Sequence, residues 1–437
     1  MKRYEAYKPT ETNWIPSVPI TWDMKKIVHL FSQRKEKVSD RDFPPLSVTK
    51  NGILPQLDNA AKTDDGDNRK RVCVGDFVIN SRSDRKGSCG VSTLEGSVSL
   101  INIVLQPRQQ LTGNYAHYLL RSQPFSEEFY RNGRGIVADL WTTRYSEMKT
   151  ILLPVPPREE QDQIVRYFDW QVSKINRLIA AKRKEIDAIH DMEHLYIDHV
   201  FSEIANQKTI RLKYLVEQFV DCPHETPEYC KDGDYCVIRT ADQDYGCLRS
   251  KTLMYRLTES EYTNRIRRAP LNAGDIVYGR EGERWGLACV IPESEKFCLG
   301  QRIMQFVCNK QMVTPEYVMW ALNSSYVRNQ GILDTMGSTS PHVNISTIIN
   351  FRIPYTSREH QDTLVSKIEC TMQKYRQLCE RIENEIQLLH DLRTRLISDV
   401  VTGQVDVRGI KVPDDEYINN EITEEEFEEE SENNEEE

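Results

Sequence analysis

The strongest constraint on this chain is that it repeats itself. Residues 154–201, placed without gaps over residues 354–401, share 14 identities in 48 positions. Pro154 meets Pro354. Arg158, Glu159, Gln161 and Asp162 meet Arg358, Glu359, Gln361 and Asp362. Glu185-Ile186 and His190-Asp191 meet Glu385-Ile386 and His390-Asp391. Unrelated segments of average composition share only a few such matches. A tandem pseudo-repeat of about 200 residues in a 437-residue chain implies two related halves, more than one hydrophobic core can hold.

Each repeated segment predicts one long helix. No Pro or Gly occurs from Arg158 to Ile204 or from Ser357 to Thr402. In the second segment Ile368, Tyr375, Ile382, Leu389 and Leu396 recur every seven residues, with Met372, Cys379, Ile386, Arg393 and Val400 four places after each. The first keeps the same register through Phe168, Ile175, Lys182, Ile189 and Tyr196, with Val172, Ile179, Ile186, Glu193 and Val200. Seventeen of these twenty positions are apolar, which describes a coiled-coil seam interrupted at Lys182, Glu193 and Arg393. Neither seam has another evident partner in the chain. The two are therefore expected to pack on each other, antiparallel, with the domains before them at opposite ends. The rival is that each helix binds a separate protein.

Residues 1–157 and 206–357 are β-leaning, with short β-branched runs between Gly, Asn, Asp and Ser turns. The duplication persists there: Gly75-Asp76-Phe77-Val78 matches Gly274-Asp275-Ile276-Val277. The fold class is α+β. Two similar mixed α/β domains (1–157 and 206–357) are separated by two long helices (158–205 and 358–404) packed as an antiparallel coiled coil. Residues 405–437 follow as an acidic disordered tail.

After each matched strand comes a polar, Gly-containing loop, Asn80–Gly87 in the first half and Gly279–Gly286 in the second. The loops carry Arg82, Arg85 and Lys86 against Arg280, Arg284 and Trp285. An ordinary hairpin turn explains a Gly-rich loop equally well. Divergent Arg-bearing loops at equivalent places favour a nucleic-acid surface, because Arg reads guanine bidentately while Asn and Gln read adenine. Two related domains that differ here would read two different half-sites. Arg134, Arg144, Arg302 and Ser338 complete the candidate DNA-binding set.

The formal net charge is −10, yet residues 413–437 hold fourteen acids and no Lys or Arg. The body has 57 basic against 53 acidic residues and is slightly basic. A self-repelling acidic block serves solubility; the sharper expectation is that it competes with DNA for the basic surface. Eleven Cys without a CxxC pair suggest reduced thiols in a cytoplasmic protein. No apolar run reaches the roughly 20 residues of a membrane span, and the start shows no signal peptide. Cys222, His224, Cys230 and Cys236 fit no zinc spacing, so no metal site is expected. The chain has no Asn-Pro or Asp-Pro for an amino-methyltransferase, and no HExxH, GxSxG or Walker A run, so no catalytic residue is assigned.

The run Pro154-Val-Pro-Pro-Arg-Glu-Glu-Gln161, opening a long helix, resembles the "PLPPxxEQxxI" signature of Type I restriction–modification specificity subunits. Pro354–Gln361 is its weaker second copy, departing at Thr356-Ser357 and His360. Trp14–Trp22 resembles the family's "WIGxIPxHW" entry, with Pro16 where Gly is usual, and Leu392–Asp406 resembles its C-terminal end. The resemblance spans nearly the whole chain. It implies a non-catalytic subunit that reads a bipartite double-stranded DNA target, one domain per half-site. The helical spacer would set half-site separation, with roughly one DNA turn (~34 Å) between centres. Two methyltransferase subunits would clasp it, with restriction/translocase subunits joining. S-adenosylmethionine, ATP and Mg would sit on those partners, none in this chain. The alternative is a coiled-coil protein-interaction scaffold without specific DNA binding.

Overall fold

The structure, a computed structural model, describes residues 2–56, 66–135, 141–292, 296–335 and 341–413. It divides into two compact units: Met1–Arg183 with Glu383–Glu437, and Lys184–Ile382. Each unit thus holds one β-rich domain and about half of each long helix. Among the described residues no helix is long and apolar enough to cross a membrane.

The first unit is built on a four-stranded antiparallel sheet in the order Cys89–Val91, Phe77–Asn80, Asn102–Pro107, Phe31–Gln33. The second repeats that order with Ala288–Val290, Ile276–Gly279, Ile303–Cys308, Val216–Asp221. A helix follows the third strand in both, Gly113–Arg121 and Pro315–Asn323. Each domain is closed by pairing a strand near its start with its last: Asp23–Lys26 with Leu152–Val155, and Thr209–Arg211 with Arg352–Pro354. The duplication therefore holds at the level of strand order and closure. A smaller three-stranded sheet in each unit has diverged. It is antiparallel throughout in the first unit, whereas in the second Tyr235–Ile238 runs parallel to Phe297–Leu299.

The long helices span Arg158–Ala205 and Arg358–Val401. Prolines precede the first, and Glu159 and Glu160 sit in its first turn, where a helix N-terminus favours negative charge. The second stops at Gly403, whose φ of 74° is the left-handed conformation that only glycine adopts without strain. Gly403 donates to Val400 O at 3.1 Å and Gln404 to Asp399 O at 2.7 Å, the paired bonds of a Schellman cap. A side chain at Gly403 would also collide with Pro19.

Within the first unit the helices run antiparallel. Lys182 Nζ lies 2.6 Å from Glu385, Arg393 donates to Asn176 Oδ1 at 2.8 Å, and Gln163 donates to Ile410 O at 2.7 Å. Residue numbers fall on one helix as they rise on the other. Two of the charges that interrupt the seam are thus paired across it. The third, Glu193, is buried in the second unit beside His190 at 3.1 Å. None of the twenty seam positions is exposed. Toward the end of the first helix, Ile197 and Phe201 are fully buried, while the expected Tyr196 and Val200 are only half-buried. A straight helix drifts about 20° per heptad against a 3.5-residue repeat. Phe201 is turned onto Tyr317 of the domain, with ring centroids 5.3 Å apart.

The boundary of the acidic tail moves. Residues 405–412, placed in it by composition, pack into the first unit: Val405 and Val407 are buried in its core, and Ile410 and Val412 lie against it. Asp406 N–H donates to Lys2 O at 2.9 Å, joining the C-terminal segment to the N-terminal one. Beside them, buried Glu160 accepts from Trp22 Nε1 at 3.0 Å and from the Tyr4 hydroxyl. The second copy carries the exposed His360 at the place of Glu160.

Candidate nucleic-acid interface

In the first unit the loop after Phe77–Asn80 is held by a backbone clasp. Thr143 N–H donates to Ser81 O at 2.9 Å and Ser83 N–H to Trp141 O at 3.1 Å. Arg134 and Thr142 exchange two bonds of 3.0 Å. Buried side chains brace the clasp from beneath. Thr143 Oγ1 donates to Phe129 O at 2.9 Å, and the Tyr130 hydroxyl reaches Asn80 O and Arg85 O. Burial pushes the pKa of that hydroxyl up, so it stays a neutral donor. The clasp gathers the backbones of Arg82, Arg134 and Thr142, with Arg85, Lys86 and Arg144 alongside. All five cations are exposed. Arg134 is 84% exposed and its nearest carboxylate, Glu147, stands 3.8 Å away. An exposed pair at that distance is worth little, so the guanidinium is available to an anion.

The same clasp recurs in the second unit. Val343 N–H donates to Arg280 O at 3.0 Å and Gly282 N–H to Pro341 O at 2.9 Å. Glu281 and His342 form a bridge there, as Arg82 and Thr142 do in the first unit. Backbone geometry therefore equates Ser81 with Arg280, Arg82 with Glu281, and Thr142 with His342.

On this second clasp two of the sequence-based choices, Arg280 and Trp285, are buried. Arg280 is 4% exposed and is held by Asp221 at 3.1 Å and Glu281 at 2.9 Å. It is a buried, paired cation. Trp285 is buried in the apolar core beneath the Arg328 guanidinium, 5.0 Å from its ring, and offers no stacking face. Arg284 is partly exposed but donates to Gln243 O at 2.6 Å. Arg302 is exposed, with φ of 67°, an uncommon backbone conformation for a residue with a Cβ. Ser338 lies outside the described residues. Glu281 and His342 escaped sequence reasoning, although a 199-residue offset sets Glu281 opposite Arg82.

Two further features bear on function. The long helices expose apolar side chains at repeat-equivalent places: Leu178 (46%) and Leu392 (48%) in the first unit, Leu378 (42%) and Met192 (50%) in the second. The antiparallel register puts Leu178 level with Leu392, near the Asn176–Arg393 bond. As for metals, Cys222 and Cys236 belong to an apolar cluster, and burial pushes the Cys222 thiol up. Among the described residues no group of three or more His, Cys, Asp or Glu is arranged to hold a metal ion.

No protein-family profile matches the chain. Over 280 residues it is 21% identical to the Type I restriction enzyme MjaVIII specificity subunit of Methanocaldococcus jannaschii, covering 60% of this chain and 64% of that protein. The chain therefore spans less than two thirds of that relative's length. Among solved structures, it superposes on a chain of a type I restriction–modification system, described for its complex assembly and conformational transition. The TM-score is 0.62 at 14% identity, covering 89% of this chain and 99% of that one. The HsdS subunit of Thermoanaerobacter tengcongensis matches with a TM-score of 0.46 at 14% identity, over 89% of this chain and 98% of that one. In sequence the chain is similar to a Type I restriction enzyme specificity subunit, and it shares the fold of a type I restriction–modification protein.

Proposed function

We propose that this chain is the DNA-specificity subunit of a Type I restriction–modification complex, a non-catalytic protein that reads a bipartite target with residues 1–157 and 206–357. One observation carries the reading: the same backbone clasp is built twice and dressed with different side chains. A duplicated scaffold with divergent exposed residues suits recognition of two different half-sites. A symmetric structural role would not need the divergence.

In this reading the long helices recruit the rest of the enzyme. Leu178 with Leu392, and Met192 with Leu378, are matched apolar sites suited to two copies of one partner, the methyltransferase subunit. Restriction/translocase subunits join that assembly. S-adenosylmethionine, ATP and Mg belong to those partners, and the methyltransferase flips the target adenine out of the duplex.

The test is a salt titration of duplex binding by the chain purified with its methyltransferase. Phosphate contacts by Lys and Arg make affinity fall steeply with salt, with a slope of about −0.9 per phosphate neutralised. A steep slope together with preference for one duplex over random competitors supports the reading. Stable methyltransferase binding without DNA preference supports the scaffold alternative.

A further inference from the structure

We propose that Glu281 is a base-reading residue of the second unit, accepting a hydrogen bond from an exocyclic amino group, cytosine N4, in the major groove. The inference rests on the proposed reading of the chain as a DNA-specificity subunit. It starts from the two clasps. Arg82, exposed in the first, occupies the place of Glu281 in the second, so one scaffold position presents a pure donor in one unit and a carboxylate in the other.

Three features set Glu281 up for that task. First, it is pre-oriented: its Oε1 lies 2.9 Å from Arg280 and 3.1 Å from His342. Oε2 takes no hydrogen bond from the described residues, and the side chain remains 23% exposed. Second, its charge is compensated from behind. A bare carboxylate beside DNA is repelled by the phosphates, but here the buried Arg280 guanidinium stands beneath it. Third, Arg280 has a second carboxylate partner besides Glu281. Asp221 takes its Nε at 3.1 Å and its terminal nitrogen at 3.4 Å, and His224 also lies 3.1 Å from that carboxylate. Ser81 replaces Arg280 in the first unit, where the residue above it is already cationic and nothing needs compensating. The Arg280–Asp221 pair is therefore the support, and Glu281 with the 44%-exposed His342 is the reading edge.

A carboxylate has only acceptors, so it favours the amino group of cytosine and opposes the acceptor face of guanine. Arg82 has the reverse preference. The first half-site should therefore be read for guanine at one position, and the second for cytosine at the equivalent one.

The experiment uses the chain with its methyltransferase, binding duplexes varied one base pair at a time across both half-sites. The unaltered protein must first select a bipartite motif; if it does not, the parent reading fails whatever Glu281 does. Given a motif, E281Q should cut discrimination about tenfold or more at one G·C pair of one half-site. R82Q should do so in the other half-site only. If E281Q weakens all duplexes equally and keeps every preference, or alters the half-site that R82Q alters, the inference is overturned. Where E281Q does not fold, E281D keeps the charge, withdraws the acceptor by one methylene, and is judged by the same two outcomes.

Discussion

The side-chain carbonyl of buried Gln161 accepts the backbone N–H of Thr112 at 3.0 Å, while its amide donates to Pro156 O at 2.9 Å. Gln361 repeats this with Thr314 at 3.1 Å and Thr356 at 2.9 Å. The Gln of the signature is thus a clamp between the start of each long helix and the domain it follows. Gln161→Ala would orphan a part-buried N–H and a buried carbonyl, at roughly 1–3 kcal/mol for a buried group. Gln361→Ala should cost a similar amount in the second unit. Urea unfolding of each variant measures the loss; an unchanged midpoint would deny the clamp its role.

The repeat, the long helices and their seam were legible because period and spacing express packing directly. The final turns of the first helix were not, since tertiary contact with Tyr317 chooses Phe201 over Val200. The candidate interface was half legible. Exposed Arg82 and Arg134 follow from a polar loop, but the same polarity conceals that Arg280 and Trp285 turn inward. Burial there depends on Asp221 and Arg328, distant in sequence. Residues 405–412 look like the acidic tail by position, yet Val405 and Val407 supply apolar surface that the first unit covers.

Arg280 should behave as a structural residue. Arg280→Ala leaves Asp221 and Glu281 facing each other without a buried cation, a change that costs about 3–5 kcal/mol in comparable pairs. Arg134→Ala, at an 84%-exposed site, should leave stability within about 0.5 kcal/mol. Differential scanning calorimetry on the two variants separates these outcomes.

The same Arg134→Ala change should act on DNA instead. If Arg134 neutralises a phosphate, its removal weakens binding across all sequences and lowers the salt slope by about 1; if it reads a base, its removal relaxes one position at a cost of about 1–3 kcal/mol. Fluorescence anisotropy at several salt concentrations distinguishes the two. No change in either would remove the first clasp from the interface.

Acid should destabilise the first unit through His117. Burial, and then the neighbouring Arg121 charge, depress its folded pKa from 6.5 to about 3. Between those values the unfolded chain binds the extra proton, so stability falls as pH drops, by at most about 1.4 kcal/mol per pH unit. Above pH 6.5 the term vanishes. His117→Gln, which cannot charge, should flatten the slope between pH 6 and 4 in denaturation series; an unaltered slope would refute the assignment.

Leu178→Glu combined with Leu392→Glu should abolish methyltransferase co-purification while costing the melting of the isolated chain little, because about half of each side chain is already exposed. Retained co-purification would move the docking surface elsewhere.

Whether this chain specifies methylation is decided by single-molecule sequencing of host DNA with and without its gene. Loss of one adenine-methylated motif, split into two half-sites by unspecified bases, is the expected result. An unchanged methylome in a host that makes the chain and its methyltransferase would contradict the assignment.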